Sequence, residues 1–151
     1  MAGKRLWIML LAFFVIKIFD IQSLKGSYLY MANFEIKGKE YELKITYKAV
    51  KYLNSQFKGG SYEVIGKALS GDLEAFPVII KAGLIHTEEN FTTKEIEKAI
   101  EEAVDSESLS LEDITNINKE VVTDSFFYKA TVEKLVSQNP EMKKALEQLQ
   151  G

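Results

Sequence analysis

Apolar and polar residues alternate from Phe34 onward. Phe34, Ile36, Tyr41, Leu43 and Ile45 are apolar, with Glu35, Lys37, Glu42 and Lys44 between them. Period two sends successive side chains to opposite faces, so this stretch predicts two half-buried strands. A type II′ turn at Gly38-Lys39 would place Ile36 opposite Tyr41 and Phe34 opposite Leu43. It also places Glu35 against Glu42 on the solvent face, an unfavourable like-charge pair. A lone hairpin is marginal in water, so its apolar face needs a surface to rest on.

The period then becomes helical. Thr46 is placed to cap a helix with Ala49, Val50, Leu53 and Phe57 inward, stopped by Gly59-Gly60. Ser61 is placed to cap the next, with Val64, Ile65, Ala68 and Leu69 inward and Gly71 behind them. Asp72 starts another turn, and Pro77 marks the first turn of Val78–Ile85, apolar nearly all round and hence the expected central helix. Thr92 and Glu95 form a capping box before Ile96, Ala99, Ile100, Ala103 and Val104. Ser110 and Asp113 resemble a weaker cap for a helix carrying Leu111, Ile114, Ile117 and Val121. Asp124–Gln138 continues helically with Phe126, Phe127, Ala130, Leu135 and Val136, either joined to the preceding helix or kinked near Asp124-Ser125. Asn139-Pro140 opens a last helix bearing Met142, Leu146 and Leu149. The expected fold class is α+β, mainly α: an N-terminal β-hairpin packed on a small multi-helix domain, residues 31–151.

Residues 1–30 form a separate apolar extension. Lys4-Arg5 before the run Leu6–Ile16 is the pattern of a secretory signal. The run is short of the about 20 apolar residues a spanning helix needs. No Ala-x-Ala follows it, and Lys17 crowds its end. A third reading concerns translation. Lys25-Gly26-Ser27 is encodable by a purine-rich ribosome-binding sequence at a suitable distance before Met31, which makes the extension an upstream read-through. Signal, anchor and read-through stay open, and Met31–Gly151 is the expected functional unit.

Composition removes several chemistries. The chain of 151 residues has no cysteine, one histidine and a net charge of −3. Disulfides, cysteine zinc sites, iron–sulfur clusters and thiol nucleophiles are therefore excluded. His86 has no spaced carboxylates to share a metal with, and it reads as a cap on the carbonyls ending an apolar helix. No nucleophile elbow and no phosphate loop occur. The expectation is a protein that is not an enzyme and carries no cofactor and no metal.

Charge is uneven. Glu88, Glu89, Glu95, Glu97, Glu101, Glu102, Asp105, Glu107, Glu112 and Asp113 form an acidic band opposed by Lys94 and Lys98. The hairpin and first helix carry Lys37, Lys39, Lys44, Lys48, Lys51 and Lys58 among Tyr41, Tyr47 and Tyr52. Basic residues interleaved with aromatics suit single-stranded nucleic acid, but Glu35, Glu40 and Glu42 dilute the field and no arginine follows Arg5. Amphipathic packing is the better account, and no nucleic-acid partner is expected.

From Met31, the run Met-Ala-Asn-Phe-Glu-Ile-Lys-Gly-Lys-Glu-Tyr-Glu-Leu-Lys-Ile-Thr-Tyr-Lys-Ala-Val-Lys-Tyr-Leu-Asn54 resembles the opening of tail assembly chaperones of siphophages and prophages of Gram-positive bacteria. The apolar helix Phe76–His86, the acidic helix of Phe91–Ile100, the aromatic Ser125–Tyr128 and the tail from Asn139 fit as well. The resemblance implies a cytoplasmic, non-virion assembly factor in the infected or lysogenic host cell. It implies a tape measure protein as client, kept soluble while tail tube protein assembles around it. Self-association along a long client fits that role, and no membrane partner is expected if the product starts at Met31. The residues expected to touch the client are Phe126, Phe127, Tyr128, Met142, Leu146 and Leu149. The competing reading is a small exported or membrane-anchored bacterial protein that uses residues 1–30 as its address.

Overall fold

Strands β1 (Asn33–Ile36) and β2 (Lys39–Glu42) form an antiparallel hairpin. This computed structural model describes residues 32–150, except the side chains of residues 142, 145, 146, 149 and 150. The signal, anchor and read-through readings of residues 1–30 therefore lie outside the described residues.

The hairpin corrects the expected register. Phe34 pairs with Tyr41, Glu35 with Glu40 and Ile36 with Lys39. The turn is Lys37-Gly38, with φ of 53° and 77°, which is type I′ and not type II′ at Gly38-Lys39. Type I′ needs positive φ at both central residues, and its twist matches that of the strands. Each partner moves by two positions, an even slip, so the same side chains still face the core. Ala32, Phe34, Ile36 and Leu43 are buried. A like-charge pair persists on the solvent face, now between Glu35 and Glu40.

Helix α1 (Tyr47–Gln56) is capped by Thr46, whose hydroxyl accepts from the Ala49 amide, and it buries Ala49, Val50 and Leu53. Helix α2 (Gly60–Ser70) has its N-cap at Gly59, two residues before the expected Ser61 cap. The Glu63 carboxylate reaches back to the Gly59 amide at 2.7 Å and does the capping instead. Gly71, in the left-handed conformation at φ 65°, closes α2, where the Asp72 and Gly71 amides return to the Lys67 and Ala68 carbonyls. Asp72 then turns the chain: its carboxylate accepts from the Ala75 amide at 2.8 Å and meets Lys67 at 3.3 Å.

Helix α3 (Ala75–Leu84) is the central helix. It buries Ala75, Phe76, Ile79, Ile80, Ala82, Gly83 and Leu84, with Pro77 in its first turn where no N–H is needed. The hairpin lies across it. Phe34 meets Phe76 edge-on with ring centroids 6.2 Å apart, and the Lys44 amide donates to the Gly83 carbonyl at 3.0 Å. Helices α1, α2, α4 and α5 also pack on α3. A 3₁₀ turn, Ile85–Thr87, ends it.

Helices α4 (Thr93–Asp105) and α5 (Leu111–Asn118) both begin with complete capping boxes, Thr92/Glu95 and Ser110/Asp113. The second is as fully formed as the first. Val104 and Leu111, expected inward, are exposed, because each sits at the edge of its apolar stripe. A π turn, Lys119–Thr123, follows α5. Helix α6 (Phe126–Gln138) starts afresh after Ser125, and α7 (Pro140–Gln150) completes the described chain. The open question at Asp124-Ser125 is thus answered by a break. The fold is α+β and mainly α.

Candidate functional site

Helix α6 opens with three aromatic residues, and the helix separates them. Consecutive positions point about 100° apart, so three neighbours cannot share one face. Phe126 is 99% exposed and Phe127 51%, whereas Tyr128 is 0% exposed. Tyr128 points inward with Val132, four residues on, and Phe127 leans edge-on against the Tyr128 ring at 5.2 Å. The expected contact set is therefore split in this structure: Phe126 and Phe127 are on the surface and Tyr128 is in the core. A fully exposed Phe leaves about 1.5–3 kcal/mol of burial free energy unrealised. Met142, Leu146 and Leu149 belong to α7, and their side chains lie outside the described residues.

The junction before α6 is unusual in a second way. The Asp124 amide donates to the Lys119 carbonyl at 3.0 Å, an i to i+5 bond that holds one more residue than an α turn. Thr123 and Ser125 hydroxyls donate to the Lys119 and Val122 carbonyls, each at 2.6 Å. Asn118 is 0% exposed, and neither atom of its amide has a hydrogen-bond partner among the described residues; nor does the Tyr128 hydroxyl. Each orphan costs the folded state about 1–3 kcal/mol. Burial pushes the Tyr128 phenol up to about 12. Burial, then the nearby Asp124 charge, pushes the Glu120 carboxyl up to about 7 against an opposing pull from Lys119. Lys119 also bridges Asp124 at 3.4 Å. Asn118 escaped sequence reasoning although a signal existed. It lies four residues after Ile114 and three before Val121, a polar residue on an inward stripe.

The charged faces are partly used up by folding. Lys37 pairs with Glu95 at 2.7 Å and Lys39 with Glu89 at 3.7 Å. The Tyr41 hydroxyl donates to Glu89 at 3.1 Å, and its ring meets Phe91 at 5.1 Å. These contacts pin the hairpin to the loop before α4. Glu97, Glu101, Glu102, Asp105, Glu107 and Glu112 stay exposed, a solvated acidic face. On α1, Tyr47 is exposed beside Lys51, while Tyr52 is half-buried beneath Lys81. His86 Nδ1 donates to the Gly83 carbonyl at 2.8 Å, a local helix-end contact. Among the described residues, no group of His, Cys, Asp and Glu is arranged to hold a metal ion.

The described surface thus offers an exposed Phe126 and a half-exposed Phe127 beside the π turn, and no convergent polar constellation. The family model for phage tail assembly chaperone proteins matches residues 33–137. The chain belongs to the phage tail assembly chaperone family. The match runs from β1 into α6, so it includes the hairpin, the central helix, the π turn and Phe126-Phe127; α7 lies beyond it. No curated protein and no solved structure matches the chain. The chaperone's role is in tail assembly, and membership of this family points to a non-catalytic one. No helix among the described residues is long and apolar enough to cross a membrane.

Proposed function

We propose that the chaperone binds the tape measure protein during tail assembly and keeps it soluble while tail tube protein assembles around it. The observation that carries the reading is Phe126, 99% exposed at the start of α6 with Phe127 half-exposed beside it. A long helical client has amphipathic stretches whose apolar faces need temporary cover, and an aromatic edge on a helical domain supplies it. Many weak contacts along one client gain strength through avidity, which self-association of the chaperone would multiply. The exposed acidic face of α4 keeps such a coated complex in solution. The α7 positions Met142, Leu146 and Leu149 extend the proposed contact surface. The site of action is the host cytoplasm, with the chaperone absent from the finished particle.

The test is co-expression of the chaperone with the tape measure protein encoded alongside it, scoring soluble client and co-purification. The native chaperone rescues the client and co-purifies. Phe126→Ser with Phe127→Ser, and separately truncation after Asn139, weaken both readouts while the hairpin domain stays folded. A client that stays insoluble beside the native chaperone refutes the reading. Unchanged rescue by both altered proteins refutes the assignment of the surface.

A further inference from the structure

The junction between α5 and α6 combines three features that packing alone does not explain. The π turn Lys119–Thr123 holds an extra residue in the helical path, and the chain leaves it through an extended Ser125, ψ 143°. Asn118, the last residue of α5, and Tyr128, in the first turn of α6, keep buried polar groups without partners among the described residues. Each such group lowers the folded-state equilibrium constant by about one to two orders of magnitude. Helix α6 is held to the core by a narrow stripe: Tyr128 and Val132 buried, Leu135 and Val136 partly buried. One orphan lies on each side of the turn.

We propose that the π turn and Ser125 form a hinge on which α6 swings away from α2, opening a cleft for a helical segment of the client that carries a hydrogen-bonding side chain among apolar ones. This rests on the client-binding reading above and adds its regulation. In the closed state, the amide of Asn118 and the hydroxyl of Tyr128 are buried without a hydrogen-bond partner among the described residues. In the open state the client segment supplies their partners. A purely apolar occupant would leave both groups orphaned again, so the occupant's chemistry is set by the floor of the cleft. Opening also uncovers the Tyr128 ring beside that of Phe127, which it already meets edge-on at 5.2 Å. Single π turns within helical paths recur at functional sites. A ligand that favours the open state shifts the population toward it by its difference in affinity for the two states.

The experiment compares the full-length chaperone with Asn118→Leu and Tyr128→Phe. Leucine has the branching and heavy-atom count of asparagine, and phenylalanine lacks only the hydroxyl, so each replacement removes an orphan without leaving a void. Hydrogen exchange of the α6 amides, read without client, should be about tenfold or more faster than that of α3 in the native chaperone. It should slow by about tenfold in each altered protein, because the closed state no longer buries an unpaired group. Affinity for the co-expressed tape measure protein should fall by a similar factor. Should Asn118→Leu fail to fold, Tyr128→Phe carries both readouts. Native α6 amides that exchange no faster than those of α3 overturn the hinge. Slower exchange with unchanged client affinity overturns its role in binding. Loss of self-association with client affinity intact assigns the cleft to a second copy of the chain and overturns the proposed occupant. A native chaperone that binds no client refutes the client reading instead, while the exchange readout still decides the hinge.

Discussion

Lys37, in the hairpin turn, holds Glu95 at 2.7 Å across 58 residues of chain. Glu95 is also the third residue of α4, where it closes the capping box on Thr92. One carboxylate therefore fixes the start of a helix and the tip of a hairpin together. The contact helps to hold Lys37 in the left-handed conformation, φ 53°, which costs energy for a residue with a Cβ.

That carboxylate makes an acid-side prediction. Hydrogen bonding from Lys37, then from the Thr92 amide and hydroxyl, draws Glu95 down to about 2 from 4.5. A folded-state value below the unfolded one means the folded protein binds fewer protons in this window. Its contribution is fully present above about 4.5 and is lost as pH falls through about 2. Melting curves should show Glu95→Gln less stable than the native chaperone above pH 5 and converging on it near pH 2.

Glu120 has the opposite sign. Its carboxyl is raised to about 7 in the folded protein, so the folded state binds more protons between about 4.5 and 7. Stability from this group is full below about 4.5 and declines as pH rises through 7. Partial exposure screens the effect and keeps it small. Glu120→Gln should match the native melting temperature at pH 4.5 and exceed it by a few degrees at pH 8. An equal difference at both values would remove Glu120 as the cause.

Two helical glycines should respond oppositely to alanine. A Cβ at Gly66 meets nothing within 4 Å, so Gly66→Ala gains helix propensity, about 0.5–1 kcal/mol. A Cβ at Gly83 would lie 3.0 Å from Leu43 Cβ and 3.4 Å from its Cα. The segment just past β2 cannot withdraw freely, because the Leu43 amide is bonded to the Ala32 carbonyl and the Lys44 amide to that of Gly83 itself. Gly83→Ala should cost about 1–3 kcal/mol as overpacking. Urea unfolding of the two variants separates them.

Phe126 and Phe76 should also part company. Phe126→Ser should change stability by no more than about 0.5 kcal/mol, since the ring touches little that folding buries. Phe76→Ala, at 1% exposure under Phe34, should cost about 3–5 kcal/mol. Paired melts check both, and a large loss from Phe126→Ser would place that ring in the core.

Much of the helical order was legible because local signals agree there with the global fold. Thr46, Gly71, Thr92/Glu95 and Ser110/Asp113 punctuate helices through contacts three to five residues away. Such contacts form whatever the rest of the chain does. The apolar run at Val78–Ile85 had to be buried on most sides, and α3 is the helix on which the others pack. The hairpin turn was misplaced because Gly38 fits either the first or the second central position. Its face survived because the error was an even number of residues.

The sequence by itself determined the fold class, the central helix and the resemblance to tail assembly chaperones, since periodicity, caps and turn residues are short-range chemistry. The tertiary structure alone decided which members of each apolar stripe are covered. Phe126, Phe127 and Tyr128 are adjacent aromatics, and only packing against the rest of the core buries the third and leaves the first bare. It also decided that Asn118 is enclosed without a partner among the described residues and that Lys37 reaches Glu95, because distance in space, unlike spacing along a helix, is set by how every element packs on α3.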